Sequence, residues 1–470
     1  MENALKIGFV LTCMAEFDAV LDVRDVREAN IPDISNPEYA DGMRDFLKTF
    51  GTVVDFKAVG NVSDAKSANT VWRNEEIDIL VVHQFAFTLG ETFAALVKGI
   101  DAPIIFWNTQ IRRNMDEGTD FSTVMSNNSV SSIPHSANVL FQAGREDFWV
   151  ITGEERDESA SKKFREIMGA VSAKKCLRSS KIASIGYVYP GMNTLSVNEE
   201  KFGDVFGVEI DRINPTLVKT YFNNADEETV SCIREMIEES DAHLFNDTEI
   251  DAAARYYAAF SNLVSEKRIS AMALLCGLLI LDKDMGTAPC WALSKLAEKG
   301  IHTACECDVP STAALIIAQA VAGNAHFTEF YMMDMDTETL LCCHCGYGNC
   351  KLANAKYPVK LTPQPCFPSD KGNGVALEFT VEEGIVTVFS ITDSPLGYKI
   401  VAFLANSLDR KPYPVSCPQA FIQFKDCSLA EGVEKYCKAG GSHHMALCRG
   451  DITGELEILA QMLGVGYEKI

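Results

Sequence analysis

Four continuous apolar runs near the start of the chain, each followed by an amphipathic stretch, restrict what this sequence can fold into. Lys6-Ile-Gly-Phe-Val-Leu-Thr12, Val53-Val-Asp-Phe-Lys-Ala58, Ile77-Asp-Ile-Leu-Val-Val82 and Ala102-Pro-Ile-Ile-Phe-Trp107 read as strands. Helical patterns over 37–50, 63–74 and 89–98 separate them, the first stopped by Gly51. Apolar strands alternating with helices predict a parallel, doubly wound sheet covered on both faces. The polar, Asn- and Ser-rich stretch 112–134 reads as a loop. A helix is expected within 154–173, and the basic cluster Lys174-Lys-Cys-Leu-Arg-Ser-Ser-Lys181 reads as a domain joint.

A second unit of the same kind follows. Strands are predicted over 181–188, 208–213 and 301–305, with a further one beginning at 271 inside the apolar run to 281. Helices fit 226–239, 249–266, 288–299 and 311–321. Beyond residue 350 the pattern changes to alternation, with 375–381 and 384–391 joined by Glu382-Glu-Gly384, which predicts a β-hairpin. Strands over 398–404, 419–424 and 445–448 and helices over 430–438 and 454–463 complete an antiparallel, β-rich end. The fold class expected is α/β, with two doubly wound parallel-sheet domains, 1–175 and 176–325, followed by an antiparallel β-rich domain over 326–470. At 470 residues the chain is long enough for such a division.

Forty-two basic against 65 acidic residues give a net charge of −23, which argues against nucleic acid and anionic membrane as main partners. The 16 cysteines are scattered rather than dense, and several sit in apolar runs, so free thiols in a reducing compartment are expected. The longest apolar run is too short to span a bilayer and no export-type segment is evident, so a cytoplasmic protein is expected.

Chemistry-bearing residues gather late in the chain. Glu306 falls at the carboxyl end of a strand, directly before a helix, the edge at which open α/β sheets bind ligands. Taken alone, such a carboxylate is more often a helix cap or a salt-bridge partner than a metal ligand. Glu329 lies among aromatics in Ala325-His-Phe-Thr-Glu-Phe-Tyr331, where burial is costly without a partner. Cys342-Cys-His-Cys-Gly346 sets His344 on the other arm of a hairpin. Its four consecutive candidate ligands point to alternate strand faces, which disfavours a zinc or iron–sulfur site. His443 and His444 follow Gly440-Gly441 at a strand entrance. Two carboxylates with imidazole form a ligand set for a divalent cation such as Mn²⁺.

These motifs together resemble the L-arabinose isomerase and L-fucose isomerase superfamily, through nearly the whole chain. The carriers are Glu306 with Thr312-Ala-Ala-Leu315, Glu329 in Phe327-Thr-Glu-Phe330, His344-Cys-Gly346, which looks like the fucose-isomerase-like branch, and Gly440-Gly-Ser-His-His444. In the first domain, Asn108-Thr-Gln-Ile-Arg-Arg113 and Ala143-Gly-Arg-Glu-Asp-Phe148 are similar to family segments. The chain departs from the family in carrying Gln142 before Ala143-Gly-Arg-Glu146 and Thr12-Cys-Met-Ala15 in place of a Gln-containing loop.

The resemblance implies an aldose–ketose isomerase that moves hydrogen between C1 and C2 of an open-chain sugar through an enediolate. Glu306 and Glu329 would be the acid/base pair. Glu306, Glu329, His444 and His344 would bind Mn²⁺, with Mg²⁺ or Co²⁺ as substitutes, and His344 could instead touch substrate. His443, Gln142, Asn108 and Gln110 would meet the sugar. The family also implies a homotrimer or homohexamer with sites completed across subunits. An epimerase on the same scaffold and a non-catalytic sugar-binding protein are the alternatives, and the sequence does not name the sugar.

Overall fold

The protein is described from a computed structural model, over residues 4–13, 37–56, 58–85, 87–239, 242–364 and 373–470. It forms two compact units, Met1–Ser172 and Ala173–Ile470. No helix among the described residues is long and apolar enough to cross a membrane. Every described cysteine is a free thiol.

In the first unit, β1 (Leu5–Thr12), β2 (Gly51–Asp55), β3 (Ile79–Gln84), β4 (Ile104–Asn108) and β5 (Phe148–Thr152) form one sheet in the order β2-β1-β3-β4-β5. All its pairings are parallel. The continuous apolar strands are those a sheet covered on both faces requires. On one side Trp72, Phe93, Leu96 and Phe106 make the core with strand residues Val10, Leu80 and Val82.

Residues 112–134 depart from the expected loop. They hold the helix Phe121–Ser126 and the start of the helix Ser129–Gln142, which contains Pro134. The buried positions of the longer helix are Ser129, Ser132, Ile133, Ser136 and Leu140, a helical period built mainly of serine. Those hydroxyls are satisfied. Ser132 accepts from the Thr88 amide at 2.8 Å, Ser136 from the Gln84 side chain at 2.6 Å, and Ser129 donates to the Thr109 carbonyl at 3.1 Å. A buried face made of small polar residues has no hydrophobic period to read.

The second unit has two sheets. β6 (Lys181–Ile185), β7 (Glu209–Ile213), β8 (Ala271–Leu274) and β9 (His302–Cys305) are all parallel, in the order β7-β6-β8-β9. β8 is shorter than its apolar run, because Gly277–Ile280 turns into a short helix. The basic cluster 174–181, expected as a domain joint, begins just past the division between the two units. It forms the last turns of the helix Glu158–Arg178 and the entry to β6.

The other sheet contains β10 (His326–Asp334), β11 (Thr339–Cys343), β12 (Lys360–Pro363), β13 (Val375–Thr380), β14 (Gly384–Ser394), β15 (Gly397–Ser407), β16 (Pro418–Phe424), β17 (His444–Arg449) and β18 (Gly466–Lys469). Its order is β12-β13-β16-β11-β10-β17-β14-β15-β18, and β16 also pairs with β15, so six strands close on themselves. Apart from the parallel pairs β13–β16 and β15–β18, it is antiparallel.

The hairpin expected across Glu382-Glu-Gly384 does not form. β13 lies between β12 and β16, while β14 pairs with β15 and β17. The link between them is held elsewhere. The Val381 amide donates to the Gln419 carbonyl at 2.7 Å, the Glu382 amide to Leu352 at 2.8 Å, and the Glu382 carboxylate pairs with Arg449 at 2.7 Å. β13 is also buried at every position, so its alternation of residue types does not mark a solvated face.

Candidate functional site

β9 ends at Cys305 and the next helix, Val309–Ala322, starts four residues later. The reversal is made by two consecutive non-glycine residues in the left-handed region, Glu306 at φ +61° and Cys307 at φ +60°. L-residues adopt that conformation at a cost and keep it where the surroundings enforce it, often at functional positions. Asp308 follows directly. It is fully buried and caps the helix, accepting from the Ser311 amide at 2.9 Å and the Ser311 hydroxyl at 2.7 Å, with Pro310 in the first turn. That helix packs on β17 and β14, bringing the carboxyl edge of the parallel sheet to the closed sheet.

The closed sheet supplies the other groups. Glu329 of β10 lies opposite His444 of β17 and Cys343 of β11, and His344 follows directly after Cys343. His444 is fully buried and its Nδ1 donates to Asp308 Oδ2 at 2.9 Å, which turns Nε2 towards Glu306 Oε2, 3.6 Å away. That separation is too long for a hydrogen bond, and both atoms are buried without a partner. Glu306, His344 and His444 each offer one ligand atom within 4.8 Å of the others, and Glu329 is outside that triplet. Phe327 packs its ring 4.8 Å from both imidazoles, and the two imidazoles lie 5.3 Å apart.

The electrostatics follow from burial. Desolvation raises the Glu306 carboxyl above its ordinary range; the His444 charge works against this and Asp308 adds to it. Desolvation also raises Glu329, opposed by His444 and reinforced by Glu306. Burial pulls His444 down, but its hydrogen bond to Asp308 and the charges of Asp308, Glu306 and Glu329 outweigh that and leave it raised. His344 is held well below the ordinary histidine range by burial, with the neighbouring imidazoles adding to it. A buried set of acceptors with orphaned donor atoms could hold a cation, and a histidine ligand steadied through its other nitrogen by a carboxylate is a common arrangement in such sites. No thiol of the Cys342–Cys350 segment belongs to the triplet.

The remaining candidates are less concentrated. His443 is half-buried, its ring 4.2 Å from that of His444, and burial lowers its pKa. Asn108 and Gln110, in the first unit, line a cavity of about 460 Å³ with Arg113 and Asp157. Asn108 donates to Thr152 Oγ1 at 2.9 Å and Gln110 to the Arg112 carbonyl at 2.8 Å. Gln142 is exposed, donates to Asn138 Oδ1 at 2.6 Å, and does not line that cavity. Of Thr12-Cys-Met-Ala15, the last two residues lie outside those described. Asp308 and Phe327 were not singled out from sequence. Asp308 carries a signal, an aspartate before Val-Pro-Ser at a helix start, but the signal reads only as a cap.

Residues 324–466 match the L-arabinose isomerase C-terminal domain. Over most of its length the chain is similar to proteins named sulfoquinovose isomerase. The one from Priestia aryabhattai is 23% identical over 397 residues, 84% of this chain and 85% of that protein. The one from Clostridium sp. (strain MSTE9) is 25% identical over 396 residues, 83% and 86% of the two chains. The one from Alkalicoccus urumqiensis is 22% identical over 399 residues, 84% and 86%.

Proposed function

We propose that this chain, a member of the L-arabinose and L-fucose isomerase superfamily and an aldose–ketose isomerase by class, uses Glu306 and Glu329 to move a proton between C1 and C2 of an open-chain sugar beside a divalent cation. The observation that carries this reading is the pair of orphaned buried atoms, Glu306 Oε2 and His444 Nε2, 3.6 Å apart with His344 beside them. Glu306, His344 and His444 would hold the cation, with Glu329 as a fourth donor and Mn²⁺ as the ion that best suits mixed carboxylate and imidazole ligands. When bound, such an ion supplies Lewis-acid polarisation of the sugar carbonyl and charge to offset an enediolate.

The protein groups do the rest. A carboxylate raised by burial is a stronger base than one in water, and its acid form persists closer to neutral pH. Glu306 and Glu329 are both raised, chiefly by burial, and Glu306 adds to the shift of Glu329, which suits the pair to passing a proton between carbons. Asp308 keeps the proton of His444 on Nδ1 and frees Nε2. Phe327 keeps water from the flank of both imidazoles. His443, Asn108, Gln110 and Gln142 are retained as sugar contacts, the last three completed across subunits of a trimer or hexamer.

The relatives' name makes sulfoquinovose the first sugar to try, followed by L-arabinose and L-fucose. The test is ketose formation after EDTA treatment and again with Mn²⁺ restored. Turnover that disappears and returns supports the reading, while turnover that EDTA leaves untouched removes the cation from it.

A further inference from the structure

The carboxyl edge of β6 and β7 opens into a cavity of about 330 Å³ whose walls include Ser184, Tyr187, Ser196, Glu199, Arg212 and Cys307. The strand order β7-β6-β8-β9 reverses at β6, and in open parallel sheets the crevice at such a reversal is where ligands bind. The cavity shares its loop with the site above. Cys307 forms part of its wall and is the residue after Glu306, and the Tyr189 amide donates to the Glu306 carbonyl at 3.4 Å. Its size falls within the range of small-molecule sites.

The polar groups of this cavity are unevenly used. Ser184 Oγ lies 3.4 Å from both Glu199 Oε1 and Cys307 Sγ. Arg212, the one cation in the wall, donates through Nε to Glu199 Oε2 at 2.5 Å, and that pair accounts for its bonding among the described residues. Among the described residues both Nη groups are left over, as are the hydroxyls of Tyr187 and Ser196. The guanidinium is thus held along one edge by Glu199 in the wall of the cavity, and no carboxylate other than Glu199 lines that wall. In a chain of net charge −23 an anionic ligand is repelled at long range, so its recognition needs a dedicated cation of this kind.

We propose that this cavity receives the end of the sugar remote from the reacting carbons, and that this end carries an oxyanion read by the outer donors of Arg212. The assignment rests on the isomerase reading above. Sulfonate, phosphate and carboxylate share the required chemistry: oxygen acceptors in a plane or tripod that a guanidinium can grip through two bonds. Glu199 is a positioning residue, acting through the guanidinium it orients.

The experiment compares aldohexoses of one configuration that carry sulfonate, phosphate, carboxylate or only hydrogen at the last carbon, each with Mn²⁺, on wild type, R212M and R212K. Arg212 is 79% exposed, so these variants should fold. The expected result is that wild type favours one anionic sugar, and the oxyanion favoured names the source. R212M should lose about 10- to 100-fold in kcat/KM for that sugar, mostly through KM, and leave the 6-deoxy sugar nearly unchanged. R212K, which keeps the charge and loses the fork, should fall between. Calorimetric titration with the same sugars gives binding without turnover. A wild type that favours the 6-deoxy sugar, or an R212M that weakens neutral and anionic sugars alike, overturns the assignment and leaves the isomerase reading standing. Absence of turnover for every sugar would defeat the isomerase reading instead. The titration would then decide this one, and anion binding that is absent or indifferent to R212M overturns it.

Discussion

His444 Nδ1 donates to Asp308 Oδ2 at 2.9 Å, and the same carboxylate caps the helix Val309–Ala322 through Ser311. One buried side chain therefore fixes both the start of the helix after Glu306 and the imidazole opposite it. D308N separates the two duties, because asparagine caps a helix about as well as aspartate. Its melting temperature should change little. Without the carboxylate, His444 is a poorer ligand, and Mn²⁺ affinity by calorimetry or electron paramagnetic resonance should drop roughly 10- to 100-fold. An unchanged affinity would mean that the bond only holds the fold together.

Glu306 and Glu329 should fail differently. Glu306 belongs to the triplet whose donor atoms lie within 4.8 Å of one another, and Glu329 flanks it. E306Q should therefore lose most of its Mn²⁺ binding, and with it the thermal stabilisation that added Mn²⁺ gives wild type, on the order of 3 kcal/mol at a hundredfold excess over Kd. E329Q should keep more of that stabilisation while kcat falls by about 10²- to 10⁴-fold, the usual loss when a general acid or base is removed. Identical melting shifts for the two variants would place both carboxylates in the same role.

Much of this arrangement is legible in the sequence, and the reasons for what is not are physical. β1, β3 and β4 announce themselves because strands covered on both faces are continuously apolar. Glu306, Glu329, His344 and His444 stand out as costly groups in apolar surroundings, and the structure brings Glu306, His344 and His444 to one point. The helix Ser129–Gln142 was hidden because its buried face is made of hydroxyls. Local alternation implies a β13–β14 hairpin because it cannot tell a turn from a crossover; long-range bonds of the link to Leu352 and Gln419 decide it. The second duty of Asp308 is hidden from the sequence for a related reason. Its capping duty is local and its bond to His444 spans 136 residues.

The glycine pair before the histidines has a steric reason that mutation can expose. A Cβ on Gly441 would sit 2.2 Å from Cζ of Tyr436, and Gly440 holds φ +80°. Tyr436 is itself fixed, donating to the Ser442 carbonyl at 2.6 Å and lying 2.8 Å from the Ser390 hydroxyl. G441A must push that ring out of a closed core, at a cost of about 1–3 kcal/mol. It should lower the melting temperature by several degrees and disturb the His443–His444 segment enough to reduce Mn²⁺ affinity. G440A meets open space and carries only the backbone cost of about 1 kcal/mol. Equal losses in the two variants would show that packing against Tyr436 is not what the second glycine serves.

Three buried histidines outside the Glu306–His344–His444 triplet should set the acid limit of the fold. His83, His302 and His326 are fully buried, and desolvation pushes each down to about 4 from an ordinary 6.5. Above pH 6.5 they are neutral in both states and cost nothing. Between 6.5 and 4 the unfolded chain takes up protons that the folded chain refuses, so stability falls as pH falls, by an amount approaching roughly 3 kcal/mol per histidine below pH 4. Glu306 and Glu329, raised by burial, act with the opposite sign and favour the fold as pH falls through their own range. His344, held lower still, adds to the three, while His444, which is raised, joins the two half-buried carboxylates; the imidazoles lowered by burial outweigh these, so the denaturation midpoint should decline from pH 7 to pH 5. H302Q removes one of the three, and its slope should be visibly flatter than that of wild type over the same interval. A wild-type midpoint that rises on acidification would show that the carboxylates, not the imidazoles, govern stability in that range.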